Sequence, residues 1–398
     1  MESIKELFIT GPGPSSSHTI GPSKAAKDFI IGLPKDSKIV VTLFGSLALT
    51  GKGHLTDKII KDILINFDSE ILFDFTTKDL KHPNTLTFKA YQNGNIIKDK
   101  TYYSIGGGKI VTDLNHIDGE IIYDLNTFEE IKEYCSRNKM SLVDYVNQKE
   151  NKDIDSYLEN VLDTMFKEVD SNINKEGLIP GSLRLSRVAK TIFNEAQKLS
   201  DDEKKVMLLT AFAYSCVEGN ASGDIVVTAP TCGSCGIIPA TLYYEYHYKN
   251  IDKKTLIDSL KVAGLFGNLC KENASISGAM LGCQAEVGVA SAMATAALCY
   301  INKLSTYQIE YGAEVALEHF LGLTCDPVDG YVQIPCIERN GIAAMRADVS
   351  YLYAKNIAPL RKNRVSFDDV VKAMKVTGES LNSDYKETSI GGLASLIR

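Results

Sequence analysis

Residues 38–44 read KIVVTLF, a β-branched apolar run that ends at Gly45 and predicts a strand. A second such run covers residues 71–75. Residues 85–91 alternate apolar and polar positions and meet residues 95–103 across Asn93-Gly94, a pair suited to a two-residue hairpin turn. Between these strands, residues 56–65 space their apolar side chains as a helix does. From Thr127 onward the period lengthens. TFEEIKEYCSRNKM, YLENVLDTMFKEVDSNI, RVAKTIFNEAQKLS and DEKKVMLLTAFAYSCV all repeat at three and four residues, with charged turns such as NQKENKD between pieces. Further helices are predicted at 254–270, 285–300, 306–320, 341–355 and 367–380. The change of period predicts an α+β chain: a small N-terminal α/β domain over residues 1–124, then a mostly α-helical domain over residues 125–398. A length of 398 residues also suits two cores better than one.

Composition narrows the partners. A chain that is 44% hydrophobic and 23% charged with net charge -7 has the make-up of a globular protein. It lacks the Lys and Arg excess that nucleic acid or an anionic membrane surface demands, so a small molecule is the expected partner. The N-terminal MESIKELFITGPGP shows no basic segment followed by an apolar one, and a cytoplasmic location is expected. The most apolar run, residues 287–301, is shorter than the roughly 18 residues of a membrane span, so it is read as a buried helix. Nine cysteines in such a compartment should stay reduced, as packing groups, metal ligands or catalytic thiols.

Several segments are dense in chemistry. Residues 11–22 (GPGPSSSHTIGP) combine Gly, Pro, Ser and His18 and predict an irregular loop that presents hydroxyls, backbone N–H groups and an imidazole. Residues 45–57 (GSLALTGKGHLTD) predict a second glycine-rich loop after a strand, with Lys52, His54 and Asp57. Gly106, Gly107 and Gly108 are expected to line the same cleft. Cys283 lies in GCQAEVG, while Cys325 and Cys336 lie in LTCDPVDGYVQIPCIERN, each near a proline. Their spacing fits no short zinc or ferredoxin pattern. On spacing alone, buried packing is the safer reading and metal ligation the sharper one. Residues 224–239 (DIVVTAPTCGSCGIIP) break from a strand into a loop with Cys232 and Cys235. That loop suits a redox pair, two ligands, or N–H groups around a substrate carboxylate.

Together these segments resemble the bacterial iron-sulfur L-serine dehydratases. The resemblance runs through PSSSHTIGP, LFGSLALTGKGHLTD, YYSIGGGK, GLIPGSLRLSR, TAPTCGSCGIIPA, ENASISGAMLGCQAEVG, EHFLGLTCDPVDGYVQIPCIERN and YKETSIGGLA. It implies an N-terminal domain similar to an allosteric substrate-binding domain, joined to a helical domain carrying a 4Fe-4S cluster on Cys283, Cys325 and Cys336. One iron then has no protein thiolate, and such an open position is what a Lewis acid needs. The implied reaction is deamination of L-serine to pyruvate and ammonia, with His18 or His54 as base. Ser15, Ser16, Ser17, Thr19, Thr231, Cys232 and Gly233 would then orient substrate, and Lys52, Arg184 or Arg339 would neutralise its carboxylate. A homodimer is the expected assembly.

This chain departs from the family pattern at four places. Cys232 stands where many members have Asn, Met280 where many have Glu, and Lys109 where an aromatic is common. The last residues, SLIR, lack the cysteine with which some relatives cap the fourth iron. These departures keep L-threonine and L-cysteine open as substrates. They also keep open a non-catalytic sensor that holds an amino acid and a cluster or zinc.

Overall fold

A computed structural model describes residues 1–114 and 119–397 of the chain. The architecture is α+β. A five-stranded sheet has the order β3-β2-β4-β5-β6, with β2 (Lys38–Phe44) parallel to β3 (Asp68–Asp74). On its other side β2 runs antiparallel to β4 (Thr85–Gln92), which continues through β5 (Asn95–Gly106) to β6 (Lys109–Val111). Asn93 and Gly94 both take positive φ at the β4–β5 turn, the backbone that this residue pair tolerates best. Alternation on β2 buries Ile39, Val41 and Leu43. They pack with Phe88, Tyr102 and the helices Gly21–Phe29 and Thr56–Ile63 in a core of their own, each contributing about 1.5–3 kcal/mol by burial.

The rest is a helical body around Val287–Ile301, the apolar run of the sequence. Its small residues let Lys253–Asn273, Thr306–Glu318 and Cys336–Asn356 pack closely around it. Helix starts follow local chemistry: Thr127 with Glu130, Ser305 with Gln308 and Ser366 with Asp369 form capping boxes. The first residues belong to this body as well. Met1, Ile4, Leu7 and Phe8 are buried in its core, and β1 (Thr10–Pro12) pairs antiparallel with β7 (Ile225–Val227).

Two expectations are corrected. Residues 11–22 are not an irregular loop: they run from β1 through a π-helical turn, Ser16–Ile20, straight into the helix Gly21–Phe29. The Ser15 hydroxyl caps that turn by accepting from the His18 N–H at 3.1 Å, and Pro22 sits where a helix start has no use for an N–H. Residues 45–50 are likewise a short helix, Gly45–Thr50. Glycine and serine content indicated loops at both places, but burial and side-chain capping outweigh propensity. Among the described residues, further helices begin or lie where period alone does not place them. Cys336–Asn356 starts five residues before the expected 341; Gly21–Phe29 and Ile237–Lys249 were not anticipated, nor was Leu142–Lys149, whose last turn runs into the NQKENKD segment expected as a charged turn.

Candidate active site

The two histidine turns meet where the sheet joins the helical body. Each is tied to the other through a threonine. Thr19 Oγ1 donates to the His54 carbonyl at 2.8 Å, and Thr56 Oγ1 donates to the His18 carbonyl at 2.6 Å. The imidazoles lie 4.5 Å apart between ring centroids, and both are fully buried.

Hydroxyl directions decide which nitrogens carry protons. Ser46 Oγ donates to the Glu387 carbonyl at 2.7 Å, so it accepts from His18 Nε2 at 2.9 Å. His18 Nδ1 is left to accept from Ser17 Oγ at 2.9 Å, with Glu387 Oε1 at 3.3 Å. Thr50 Oγ1 donates to the Ser46 carbonyl, so it accepts from His54 Nδ1 at 2.8 Å. His54 therefore keeps its lone pair on Nε2. Burial pushes its pKa down to about 3. Burial, then repulsion from His54, holds His18 well below the usual imidazole range. Both rings are neutral at ordinary pH.

The opposite wall carries thiols. Cys283 opens a tight turn fixed by Gln284, whose amide donates to the carbonyls of Leu281 and Met374 and accepts from Gly322 N–H. Cys325 is held by two backbone bonds to the segment after the last long helix. Its N–H donates to the Tyr385 carbonyl and its carbonyl accepts from Glu387 N–H, each at 2.8 Å. Those bonds bring Glu387 to the site. Cys336 begins the helix that carries Arg339 and Asn340. Asn340 Nδ2 donates to the Gly233 carbonyl, and its Oδ1 accepts from Gly236 N–H, which fixes the loop after β7.

Pro14, Ser15, His54, Gly233, Cys283, Glu286, Cys325, Cys336 and Glu387 border one small cavity. Ligand atoms of Cys283, Glu286 and Cys325 lie within 4.8 Å of one another, as do those of His18, His54 and Glu387. The hydrogen bond from Cys325, then Arg339, lowers the Cys283 pKa, while Cys325 is held well above the thiol range. Burial raises Cys336 and Glu286, and burial with the nearby Glu286 charge raises Glu387. The donor set fits an iron-sulfur cluster: three buried thiols converge from two irregular segments and one helix start. A Cβ at Gly278 would stand 3.3 Å from Cys325 Sγ and 2.7 Å from Glu286 Oε2, so glycine leaves that wall bare.

The expected residues divide. Ser15, His54, Gly233 and the three cysteines border the cavity. His18, Ser17 and Thr19 stand directly behind it through the bonds above, and Ser16 is buried in the same turn. Thr231 packs against Ser234 and bonds Glu286. Arg339 donates to the Thr324 carbonyl and to Asp326 and sits in the field of the thiols.

Four expected placements are corrected. Lys52 is exposed with its ammonium 5.7 Å from the Phe73 ring, and Arg184 is exposed on a left-handed turn residue. Neither is among the residues that border the cavity. Cys232 belongs to an apolar cluster with Cys216, Val217, Cys235 and Ile337; the short turn at Cys232–Ser234 gives the cavity Gly233 instead. The triple glycine borders a different space through Gly106, beside Glu2, Lys109 and Lys271. Sequence reasoning missed Ser46, Thr50, Glu286 and Glu387. Both acids lie in segments that carried the family resemblance; for Glu286, an acid three residues after Cys283 at the head of a small, apolar run was the available signal.

Comparisons with known proteins match the chain to serine dehydratases. The family model described as serine dehydratase alpha chain matches residues 87–394, and the one described as serine dehydratase beta chain matches residues 3–61. L-serine dehydratase of Helicobacter pylori is 38% identical over 100% of this chain and 99% of its own length. L-serine dehydratase 1 of Escherichia coli is 38% identical over the whole of both chains, and the L-serine dehydratase of Mycobacterium tuberculosis is 36% identical over 98% and 97%.

Proposed function

The chain belongs to the serine dehydratase family, with beta-chain and alpha-chain regions in one polypeptide, and on that premise we propose that it deaminates L-serine to pyruvate and ammonia using a 4Fe-4S cluster. Convergence of Cys283, Cys325 and Cys336 on the cavity that His54 borders carries this reading. These three thiols would hold the cluster, which would supply Lewis-acid assistance to the departing hydroxyl.

The protein's own residues account for the rest. His54 is the base: its Nδ1–H is committed to Thr50, and its Nε2 lone pair is free to take the Cα proton. The electron pair of the broken Cα–H bond forms the Cα–Cβ double bond as the Cβ–O bond breaks, and the hydroxide that leaves takes up a proton and departs as water. The resulting aminoacrylate tautomerises to the imine, and water converts that to pyruvate and ammonia. His18 is less suited to the role, because Ser46 and Ser17 occupy both of its nitrogens. It buttresses His54 instead. Ser15 and the N–H groups around Gly233 orient the substrate, and Arg339 supplies positive potential behind the thiols. Burial of the whole site excludes bulk water from the proton transfer.

Anaerobic reconstitution with iron and sulfide, followed by assays on L-serine, L-threonine and L-cysteine, tests the reading. The expected result is a brown protein that forms pyruvate from L-serine faster than it forms 2-oxobutanoate from L-threonine. A protein that stays colourless, or a brown one that acts on none of the three, overturns it.

A further inference from the structure

A serine molecule enters this site as a zwitterion, and its ammonium must find an acceptor once water is stripped away. Two carboxyl groups border the cavity, Glu286 and Glu387. Glu286 is already engaged: it accepts from Thr231 and lies 3.8 Å from Cys325 Sγ. Glu387 is different. Its Oε1 faces His18, and the carboxyl has only neutral donors near it, the Ala279 N–H and the Ser17 hydroxyl; Oε2 is buried with no partner in hydrogen-bond geometry among the described residues, and the residue is only 5% exposed. A buried carboxyl oxygen left unpaired is costly, and a cation that reaches it removes the cost.

We propose that Glu387 is the residue that binds the α-ammonium of the substrate and so selects amino acids over hydroxy acids. The assignment rests on the L-serine reading above and deepens it. Spacing supports the choice. A carboxyl oxygen of Glu387 and an imidazole nitrogen of His54 lie within 4.8 Å of one another. In an amino acid the ammonium nitrogen and the Cα–H are on adjacent atoms, so an ammonium seated on Glu387 presents the Cα proton toward His54. The backbone bonds that tie Glu387 to Cys325 fix the carboxylate relative to the thiol wall, where the hydroxyl must go. His18, pinned by Ser46 and Ser17, stands behind the carboxyl group with Nδ1 3.3 Å from Oε1. Glu387 itself takes the left-handed backbone conformation, φ 56°, a locally strained position for a side chain of its size.

The test compares L-serine with L-glycerate, which carries a hydroxyl in place of the ammonium, on the reconstituted enzyme and on Glu387→Gln. Calorimetric binding and steady-state kinetics are both read, with cluster absorbance and thermal melting as folding checks. The wild type should bind L-serine in preference to L-glycerate. In E387Q the KM and Kd for L-serine should rise on the order of 100-fold while the inhibition constant of L-glycerate stays within a few fold. A drop in kcat with KM unchanged overturns the proposal in favour of proton transfer by Glu387. An equal loss of both ligands overturns it in favour of general damage to the site. If the wild type turns over no serine, the calorimetric preference still judges Glu387, because binding is read without chemistry. Should E387Q fail to fold, Glu387→Asp replaces it, and retention of the serine preference with weaker affinity is the expected outcome.

Discussion

The two walls of the cavity are built on opposite plans. On the histidine wall every polar hydrogen has a destination: Ser46 gives its proton to the Glu387 carbonyl, Thr50 gives its own to the Ser46 carbonyl, and each imidazole then has one possible tautomer. On the thiol wall the groups face one another instead. Cys325 bonds Cys283 and Glu286, and burial raises the pKa of Cys336 and of Glu286. A directional network needs no ligand to be in order. A crowd of buried acids retains its protons until a cation displaces them. On the proposed reading the histidine wall is ordered for proton transfer in the protein alone, and the thiol wall would be completed by metal.

The sharpest way to separate the walls is to remove one group from each. Cys325→Ser should abolish both iron content and pyruvate formation, because it deletes a thiol held in place by backbone bonds on both sides that no neighbour replaces. His54→Asn should keep its iron, measured by chelator colorimetry, and lose on the order of 10²- to 10⁴-fold in kcat. If H54N loses iron as well, the walls are not independent. If C325S keeps full iron, the thiol wall is not the cluster site.

How much of this was legible beforehand follows from what each wall is made of. The sheet and most helices were readable because alternation and helical period are one-dimensional signals. β2 buries Ile39, Val41 and Leu43 as the pattern requires. The cysteine positions were legible through family resemblance alone, since Cys283 and Cys325 are brought together by Gln284 and by the pairing of Cys325 with the 385–387 segment. Those contacts are long-range and leave no spacing rule. The histidine turns were legible as polar and glycine-rich, but not as helical. Their regularity comes from reciprocal Thr19 and Thr56 bonds across 35 or more residues. Glu387 reaches the site over an even longer separation, 341 residues from Ser46.

Cys232 gives a smaller but cleaner test. Its sequence position predicts a substrate contact, yet its side chain lies in the apolar cluster with Cys216 and Val217. Cys232→Asn should cost about 1–3 kcal/mol of stability, the penalty for burying an amide among apolar neighbours, measured by urea unfolding. The ratio of kcat/KM for L-serine to that for L-threonine should hardly move. A large change in that ratio without loss of stability would return Cys232 to the substrate wall.

The smallest effect distinguishes the walls by the sign of their response to pH. His54 has its folded pKa lowered to about 3 from 6.5, so below pH 6.5 the unfolded chain binds a proton that the folded one refuses. The stability this group contributes is present above pH 6.5 and is lost as pH falls, by about 1 kcal/mol per pH unit. Glu387 has its folded pKa raised well above 4.5. The folded chain there holds a proton that the unfolded one gives up, so its contribution is present below pH 4.5 and is lost as pH rises through the raised value. Between pH 5 and 6.5 the two act against each other. Urea unfolding of the metal-free protein across that range gives the wild-type slope, to which His18, also lowered by burial, adds on the His54 side, and each variant is read against it. His54→Gln should tilt stability toward acid and Glu387→Gln toward base. Tilts of the same sign in both variants would mean that the two groups titrate as one unit, and the separation into a directional wall and a proton-storing wall would fail at the contact between His18 and Glu387.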